Sequence, residues 1–148
     1  MTELRPITED SFLDAFSLKL APGQERFVSQ PIRSLAQAYV YRDQCQPFGI
    51  YAEGVMVGYV MVIYDYDIPE YDIWHMMIDA SRQGRGYGGD ALDRVIEYIR
   101  TKPFGSSNRV TLTCSPGNAP AMRLYAARGF APTGAGDEDE IELTLTLE

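Results

Sequence analysis

The run Gln83-Gly84-Arg85-Gly86-Tyr87-Gly88-Gly89 follows an apolar, strand-like stretch at residues 73–78 and leads straight into a helical pattern that begins near Ala91. A strand, a glycine-rich turn and a helix in that order leave the chain few options. Glycines let the backbone turn with its amide N–H groups converging on one point, and the first turn of a helix adds unpaired donors and the positive end of its dipole. The product is a cradle for an anion, best suited to a diphosphate. The plainer reading, in which these glycines serve only a tight strand-to-helix turn, stays open at this point.

What surrounds the loop narrows the diphosphate. Gly84-x-Gly86-x-x-Gly89 has the spacing of the dinucleotide fingerprint, which also requires an acidic residue about 20 positions further on to hold a ribose. Between Glu97 and Asp137 there is no Asp or Glu at all. The motif also falls past the middle of the chain, with too little sequence left for a doubly wound domain. A P-loop would need Lys-Ser or Lys-Thr after its last glycine, and Gly89 is followed by Asp90.

A second motif comes after it. Asn118-Ala119-Pro120-Ala121-Met122-Arg123-Leu124-Tyr125-Ala126-Ala127-Arg128-Gly129-Phe130 has an N-cap residue, a helical body and a glycine where the helix should stop. Asn118 and Tyr125 lie two turns and ~10 Å apart on nearly the same face. Such a helix can hold an extended thiol cofactor at one end and bring a phenol near its sulfur at the other.

Gln-x-x-Gly-x-Gly followed by Asn-x-x-Ala-x-x-Leu-Tyr-x-x-x-Gly-Phe resembles the GNAT superfamily of N-acetyltransferases. The resemblance rests on residues 83–88 and 118–130 and covers the C-terminal half; the N-terminal half is matched by its order of elements. Ile73-Trp74-His75-Met76-Met77-Ile78-Asp79 ahead of the loop is similar to bacterial diamine and spermine/spermidine acetyltransferases. The resemblance implies an α/β (α+β) fold with a central mixed, mostly antiparallel twisted sheet of about six to seven strands and about four flanking helices. It implies acetyl-CoA as co-substrate, held by Gln83, Gly84, Arg85, Gly86, Tyr87, Gly88, Gly89, Asn118 and Tyr125, with the backbone of Met76, Met77 and Ile78 alongside the pantetheine arm. Arg82 and Arg85 can add charge-assisted contacts to the diphosphate or be solvated loop arginines.

Composition fits one small enzyme spanning residues 1–148 as a single domain. With 148 residues and 45% hydrophobic content the chain can bury one core, no run approaches the ~18 apolar residues of a membrane span, and the polar residues 1–10 hold no signal peptide. Cys45 and Cys114 are isolated thiols without metal spacing, which suggests reduced, structural roles and a cytoplasmic home, with no metal. The net charge of −8 argues against nucleic acid and favours a cationic partner.

Residues 4–7 read as a first strand, and Thr8 as the cap of a helix carrying Phe12, Leu13, Phe16 and Leu20 that Pro22 and Gly23 end. Residues 24–41 are helical in pattern but interrupted by Pro31, with Ser34 a cap for residues 35–41. Residues 48–52 and 55–63 flank Glu53-Gly54 as a hairpin, and residues 71–78 form a fourth strand into the glycine loop. Leu92, Val95, Ile96 and Ile99 make the buried stripe of the next helix. Residues 110–114 are a fifth strand; Phe130 and residues 141–147 supply two closing strands about a turn at 134–140, whose residues 137–140 read as a solvated tip. A terminal strand with an unprotected edge, together with the family's habits, leads us to expect a homodimer.

Transfer of an acetyl group to an amine requires a held donor, a neutral amine and relief of charge on the departing thiolate. Tyr125 is the candidate general acid, since a phenol with pKa near ~10 can return a proton to sulfur. An alkylamine near neutral pH is deprotonated about one part in a thousand of the time, a deficit of ~4 kcal/mol. Many relatives place a glutamate on the fourth strand, where this chain has Trp74 and His75. His75, the single histidine, and Glu70 and Asp72 are the candidates for the base; a water chain to solvent is the alternative. Asp65, Asp67, Glu70 and Asp72, interleaved with Tyr64, Tyr66 and Tyr71, suit the ammonium groups of a polyamine or form a solvated acidic loop. The leading expectation is an amine acceptor of small size, a di- or polyamine. The alternatives are an antibiotic, an amino acid, a protein N-terminus, or an acyl-CoA-binding module without turnover.

Overall fold

Two left-handed residues, Glu53 (φ 52°) and Gly54 (φ 78°), make the two-residue loop whose twist matches that of the flanking strands, and so set the first hairpin of the sheet. The computed structural model describes residues 1–26 and 30–148. In chain order these form β1 (Thr2–Pro6), α1 (Phe12–Ser17), α2 (Pro31–Val40), β2 (Cys45–Ala52), β3 (Val55–Asp65), β4 (Glu70–Ile78), α3 (Tyr87–Arg100), β5 (Arg109–Cys114), α4 (Ala119–Ala127), β6 (Ala131–Gly136) and β7 (Ile141–Thr146). Short 3-10 turns occupy Gln24–Arg26 and Ala80–Arg82. The strands make one seven-stranded sheet in the order β1-β2-β3-β4-β5-β7-β6. Each pairing is antiparallel except β4 with β5. This is the mixed sheet with four helices that the resemblance implied.

Each face of the sheet buries its own apolar set. Leu92, Val95, Ile96 and Ile99 of α3 pack with Ile50, Val60, Val62, Tyr71 and Val110, and α4 adds Leu124 and Tyr125 to that core. On the opposite face, Ala38 of α2 packs with Tyr59, Met61, Ile63 and Met77. Ala15 of α1 packs with Tyr51 and Met56.

Four expectations are corrected. The first helix stops at Ser17, well before Pro22, because Lys19 is held in a tertiary contact: its N–H donates to Asp79 (2.7 Å) and its carbonyl accepts from Ala80 (2.7 Å). Pro31 starts α2 instead of interrupting it, since at the first helical position its missing N–H removes no bond. Ser34 lies inside α2 and caps nothing; residues 27–29 of that predicted stretch lie outside the described residues. Strand β7 is paired on both sides, by β5 and β6, so the edges of the sheet are β1 and β6.

Strand β4 carries the feature that positions the site. Val62 pairs with Ile73 and Met61 with His75, which leaves Trp74 as an extra residue, a β-bulge. Side-chain alternation inverts there. Tyr71 and Ile73, then Met76 and Ile78, face α3 and α4, whereas Met77 faces α2. On its other side β4 pairs with β5 at Tyr71 and Asp72 alone. Beyond the bulge the two strands part, and a cleft opens between them.

The wall of that cleft depends on how closely β3 approaches β4. A Cβ added at Gly58 would lie 2.4 Å from the Met77 carbonyl oxygen. Gly58→Ala is expected to lose ~1–3 kcal/mol of stability by overpacking, a melting temperature lower by roughly 2–10 °C. An unchanged melting curve would show that the strands part there at no cost.

Candidate active site

Asp79 holds the chain as it leaves β4, accepting from Lys19 and Ser81 N–H, and Gln83 donates to the Ile78 carbonyl (2.9 Å) and to Gln24 (2.9 Å). Gly84 (φ 79°) and Gly86 (φ 81°) then adopt left-handed backbone that any side chain would strain. Helix α3 follows, starting at Tyr87 and taking Gly88 and Gly89 into its first turn. The N–H groups of Tyr87, Gly88 and Gly89 precede the first intrahelical bond, from Asp90 N–H to Gly86 carbonyl (3.2 Å), and so remain donors for an anion.

A cavity of about 260 Å³ runs from this loop along β4 to α4. Its wall holds Met76, Met77, Ile78, Arg82, Gln83, Gly84, Gly86, Tyr87, Gly88, Asn118 and Tyr125, all singled out from sequence, and Gln24 besides. Arg85 and Gly89 stand outside it. Arg85 is exposed, and a Cβ at Gly89 would meet the Arg128 guanidinium at 2.4 Å, so Gly89 makes room for Arg128 and its ion pair to Asp93.

A second cavity, of about 340 Å³, lies on the other side of the bulge. Ile73, Trp74 and His75 of β4, Thr113 and Cys114 of β5, Gln37 of α2 and Glu140 line it. Met76, Asn118, Ala121 and Tyr125 line both cavities. The two spaces therefore meet at Tyr125.

Local bonds hold the Tyr125 helix in place. Asn118 caps α4 by accepting from Ala121 N–H (3.5 Å). At the other end Phe130 N–H reaches the Tyr125 carbonyl (3.1 Å) and Gly129 N–H the Ala126 carbonyl (3.0 Å), a Schellman ending whose apolar contact is the Tyr125–Phe130 ring pair. Burial, and after it Cys114, pushes the Tyr125 phenol up to about 12. It stays protonated and can donate.

His75 is built into a buried chain of hydroxyls. Its Nδ1 lies 2.6 Å from Ser34 Oγ, which lies 2.8 Å from the Tyr59 hydroxyl. Tyr59 is fully buried and, among the described residues, Ser34 is the one partner of its hydroxyl, so donation from Tyr59 to Ser34 is the arrangement that leaves no buried proton unpaired. The Ser34 proton then has two acceptors, the imidazole nitrogen at 2.6 Å or the weak Met61 thioether at 3.8 Å, and the nearer and stronger one takes it. Nδ1 thus accepts, and the imidazole proton sits on Nε2. Burial, and after it the charge of Arg33, lowers His75 from 6.5 to about 4, so the ring is neutral. In this state its Nε2–H can donate a hydrogen bond, while the Nδ1 lone pair is taken up by Ser34.

Glu70 and Asp72 are not among the residues of either cavity. Glu70 is buried against Arg109 (2.9 Å) and Thr111 (3.3 Å). Asp72 is raised from 3.8 to about 7 by burial, then by Glu70 and Asp65 and a hydrogen bond with Glu70, with Glu142 adding to it. Asp65 is spent on its own loop, accepting from Asp67 and Ile68 N–H. Sequence reasoning missed Cys114 and Glu140; the resemblance assigned residues 24–41 as a stretch to the acceptor site, without singling out Ser34 or Gln37 for it. Ser34 and Ala38, small residues four apart, marked a helix face turned to the sheet; Glu140 carried no local signal.

The fold and the joined cavities define an acyl-transferase of the acetyl-CoA type. The model of the acetyltransferase (GNAT) family matches residues 7–130, and the chain belongs to that family, with acetyl-CoA as its co-substrate. It is 26% identical over 147 residues to the spermine/spermidine N(1)-acetyltransferase of Bacillus subtilis, covering 90% of each chain. Among solved structures it is similar to the spermidine N-acetyltransferase of Vibrio cholerae in complex with CoA and spermine (TM-score 0.79, 17% identity, 98% and 95% of the two chains). It is also similar to a ribosomal L7/L12 α-N-protein acetyltransferase in complex with CoA (TM-score 0.80, 16% identity, 99% and 94%).

The two large shifts have opposite consequences for stability. His75, lowered in the fold, stabilises it above pH 6.5, and that contribution is lost as the pH falls toward 4. Asp72, raised in the fold, stabilises it below pH 3.8, and that contribution is lost as the pH rises toward 7. Between these limits the two largely offset. Acidification from about pH 6.5 to about 4.5 is therefore expected to raise the relative stability of His75→Gln, where Asp72 remains, and to lower that of Asp72→Asn. Thermal melts of both variants and the wild type across this range check the signs; three parallel curves would contradict them.

Proposed function

We propose that the chain transfers the acetyl group of acetyl-CoA directly to a primary amine of a di- or polyamine. The observation that carries this reading is the junction of two cavities at Tyr125, one ending in an anion cradle and the other lined by Trp74, His75 and Glu140. In it, Gly84, Gly86 and the first turn of α3 take the diphosphate, and the unpaired edge of β4 beyond Asp72 runs beside the pantetheine arm. Bound acetyl-CoA would supply an activated acetyl thioester and a sulfur leaving group. Tyr125, protonated and shared by both cavities, gives its proton to that sulfur as negative charge develops there.

The proton of the amine leaves through water in the second cavity, because His75 is committed to Ser34 and Glu70 to Arg109. The polyamine acceptor draws support from the names of the relatives in Bacillus subtilis and Vibrio cholerae and from the net charge of −8. Tyr41 packs edge-on against Trp74 at 5.6 Å, and Trp74 remains 39% exposed, so an aromatic face borders the amine cavity. The acidic loop 65–72 is not part of this reading. We take residues 1–148 to work as one domain in the cytoplasm, where the buried thiols Cys45 and Cys114 stay reduced. A homodimer would use β1, β6 or a helical face, and light scattering on the purified protein decides it.

The test is release of CoA thiol from acetyl-CoA across an amine panel. Spermine, spermidine and diaminoalkanes are expected to be turned over ahead of monoamines, amino acids, aminoglycosides and N-terminal peptides. Preference for a peptide or an aminoglycoside would overturn the acceptor and leave the transfer chemistry standing. No thiol release with any amine would reduce the chain to an acyl-CoA-binding module.

A further inference from the structure

Among the described residues that line the second cavity there is a single carboxylate, that of Glu140. The rest of the wall offers amides, hydroxyls, a thiol, a neutral imidazole and apolar groups. Among the described residues no hydrogen bond or ion pair reaches the Glu140 carboxylate, whereas Glu70 and Glu142 both pair with Arg109. The sequence suggested only a solvated tip for residues 137–140, and the side chain is indeed exposed. Its backbone is not loose, however.

Asp137 holds Glu140 from both sides. Asp137 N–H donates to the Glu140 carbonyl (2.8 Å), and the Asp137 carboxylate accepts from Glu140 N–H (3.0 Å) and Asp139 N–H (2.8 Å). The next residue, Ile141, pairs with Cys114 at the end of β5. The tip of the hairpin is thereby fixed over the place where β5 ends and the cavity opens. The charge of Glu140 is felt at Cys114, whose thiol is raised by burial first and by Glu140 second.

We propose that Glu140 is the specificity-determining residue for the acceptor, pairing with its second, non-reacting ammonium, and that Asp137 is the positioning residue that holds it. This rests on the amine acetyltransfer proposed above. A carboxylate paired with the reacting nitrogen would keep that nitrogen protonated and unable to attack. Productive binding therefore places a distal ammonium on Glu140 and leaves the other nitrogen free to lose its proton beside Tyr125. A monoamine has one nitrogen for both tasks. The arrangement selects acceptors with two or more amines and discriminates against those with one.

Steady-state kinetics on the full chain test this with a diaminoalkane and the monoalkylamine of equal length as acceptors. Glu140→Gln is expected to raise the diamine KM roughly 5- to 20-fold, the loss of one charge-assisted contact, with a much smaller change in kcat and in the KM for acetyl-CoA. The preference for diamine over monoamine should shrink by the same factor. Glu140→Asp should keep part of the preference, and Asp137→Ala should weaken it in the same direction while the melting temperature in acetyl-CoA stays near that of the wild type. Raising the ionic strength should increase the diamine KM of the wild type more than that of Glu140→Gln, which keeps the attraction of the net negative charge but loses the local pair. An unchanged diamine KM in Glu140→Gln, or equal rises for both acceptors, would overturn the role of Glu140 while leaving the transferase intact. A wild type that turns over no amine, or prefers the monoamine, would overturn the polyamine reading and this inference together.

Discussion

Strand β5 pairs with β4 at two residues, and the site depends on the loss of pairing that follows. In a continuous parallel pair the backbone groups of β4 from Ile73 to Ile78 would be satisfied by a neighbouring strand, with no room for a ligand. The bulge at Trp74 ends that possibility. It turns Met76 and Ile78 toward α3 and α4, sends His75 toward Ser34 on the opposite face, and lets α4 lean over the gap. One extra residue thus creates the cleft, its two-sided lining and the place where Tyr125 meets both cavities.

Electrostatics divide the labour within that cleft. The amine must lose a proton against a deficit of ~4 kcal/mol, and the thiolate must gain one. Burial keeps Tyr125 protonated, which suits it for the second task alone. The chain from Tyr59 through Ser34 to His75 leaves the imidazole with its proton on Nε2, so the histidine shapes and polarises the acceptor cavity without serving as a proton sink. Glu140, the carboxylate of that cavity, contributes most by holding a charge that does not react. Of the acidic residues around the β3–β4 turn, Glu70 is held by Arg109 and Thr111, and Asp65 accepts from the N–H groups of its own loop.

The parts that were legible in the sequence are those whose cause is local. The glycine loop, the amphipathic stripe of α3, the Glu53-Gly54 turn and the cap and stop of α4 each follow from residues within one or two turns of each other. The readings that failed are those decided by distant partners. Helix α1 stops early because Asp79 and Ala80 hold Lys19 across 60 residues. Ser34 was read as a cap because hydroxyls favour caps, yet Tyr59 and His75 supply its bonds. Glu70 and Asp72 adjoin His75 in sequence, but the bulge between them and the cavity sets them apart from it. Glu140 reached the site through strand order, which places β7 beside β5, and no local pattern encodes that.

The account stands or falls on Tyr125 as proton donor at the junction of the cavities. The most direct measurement compares Tyr125→Phe with the wild type at saturating acetyl-CoA and a good amine, with calorimetry for CoA affinity alongside. The ring keeps its packing against Phe130, so affinity is expected to stay near that of the wild type. Turnover is expected to fall ~10²-fold or more, the typical contribution of a general acid. Wild-type turnover in Tyr125→Phe would contradict the account and show that this helix serves binding alone.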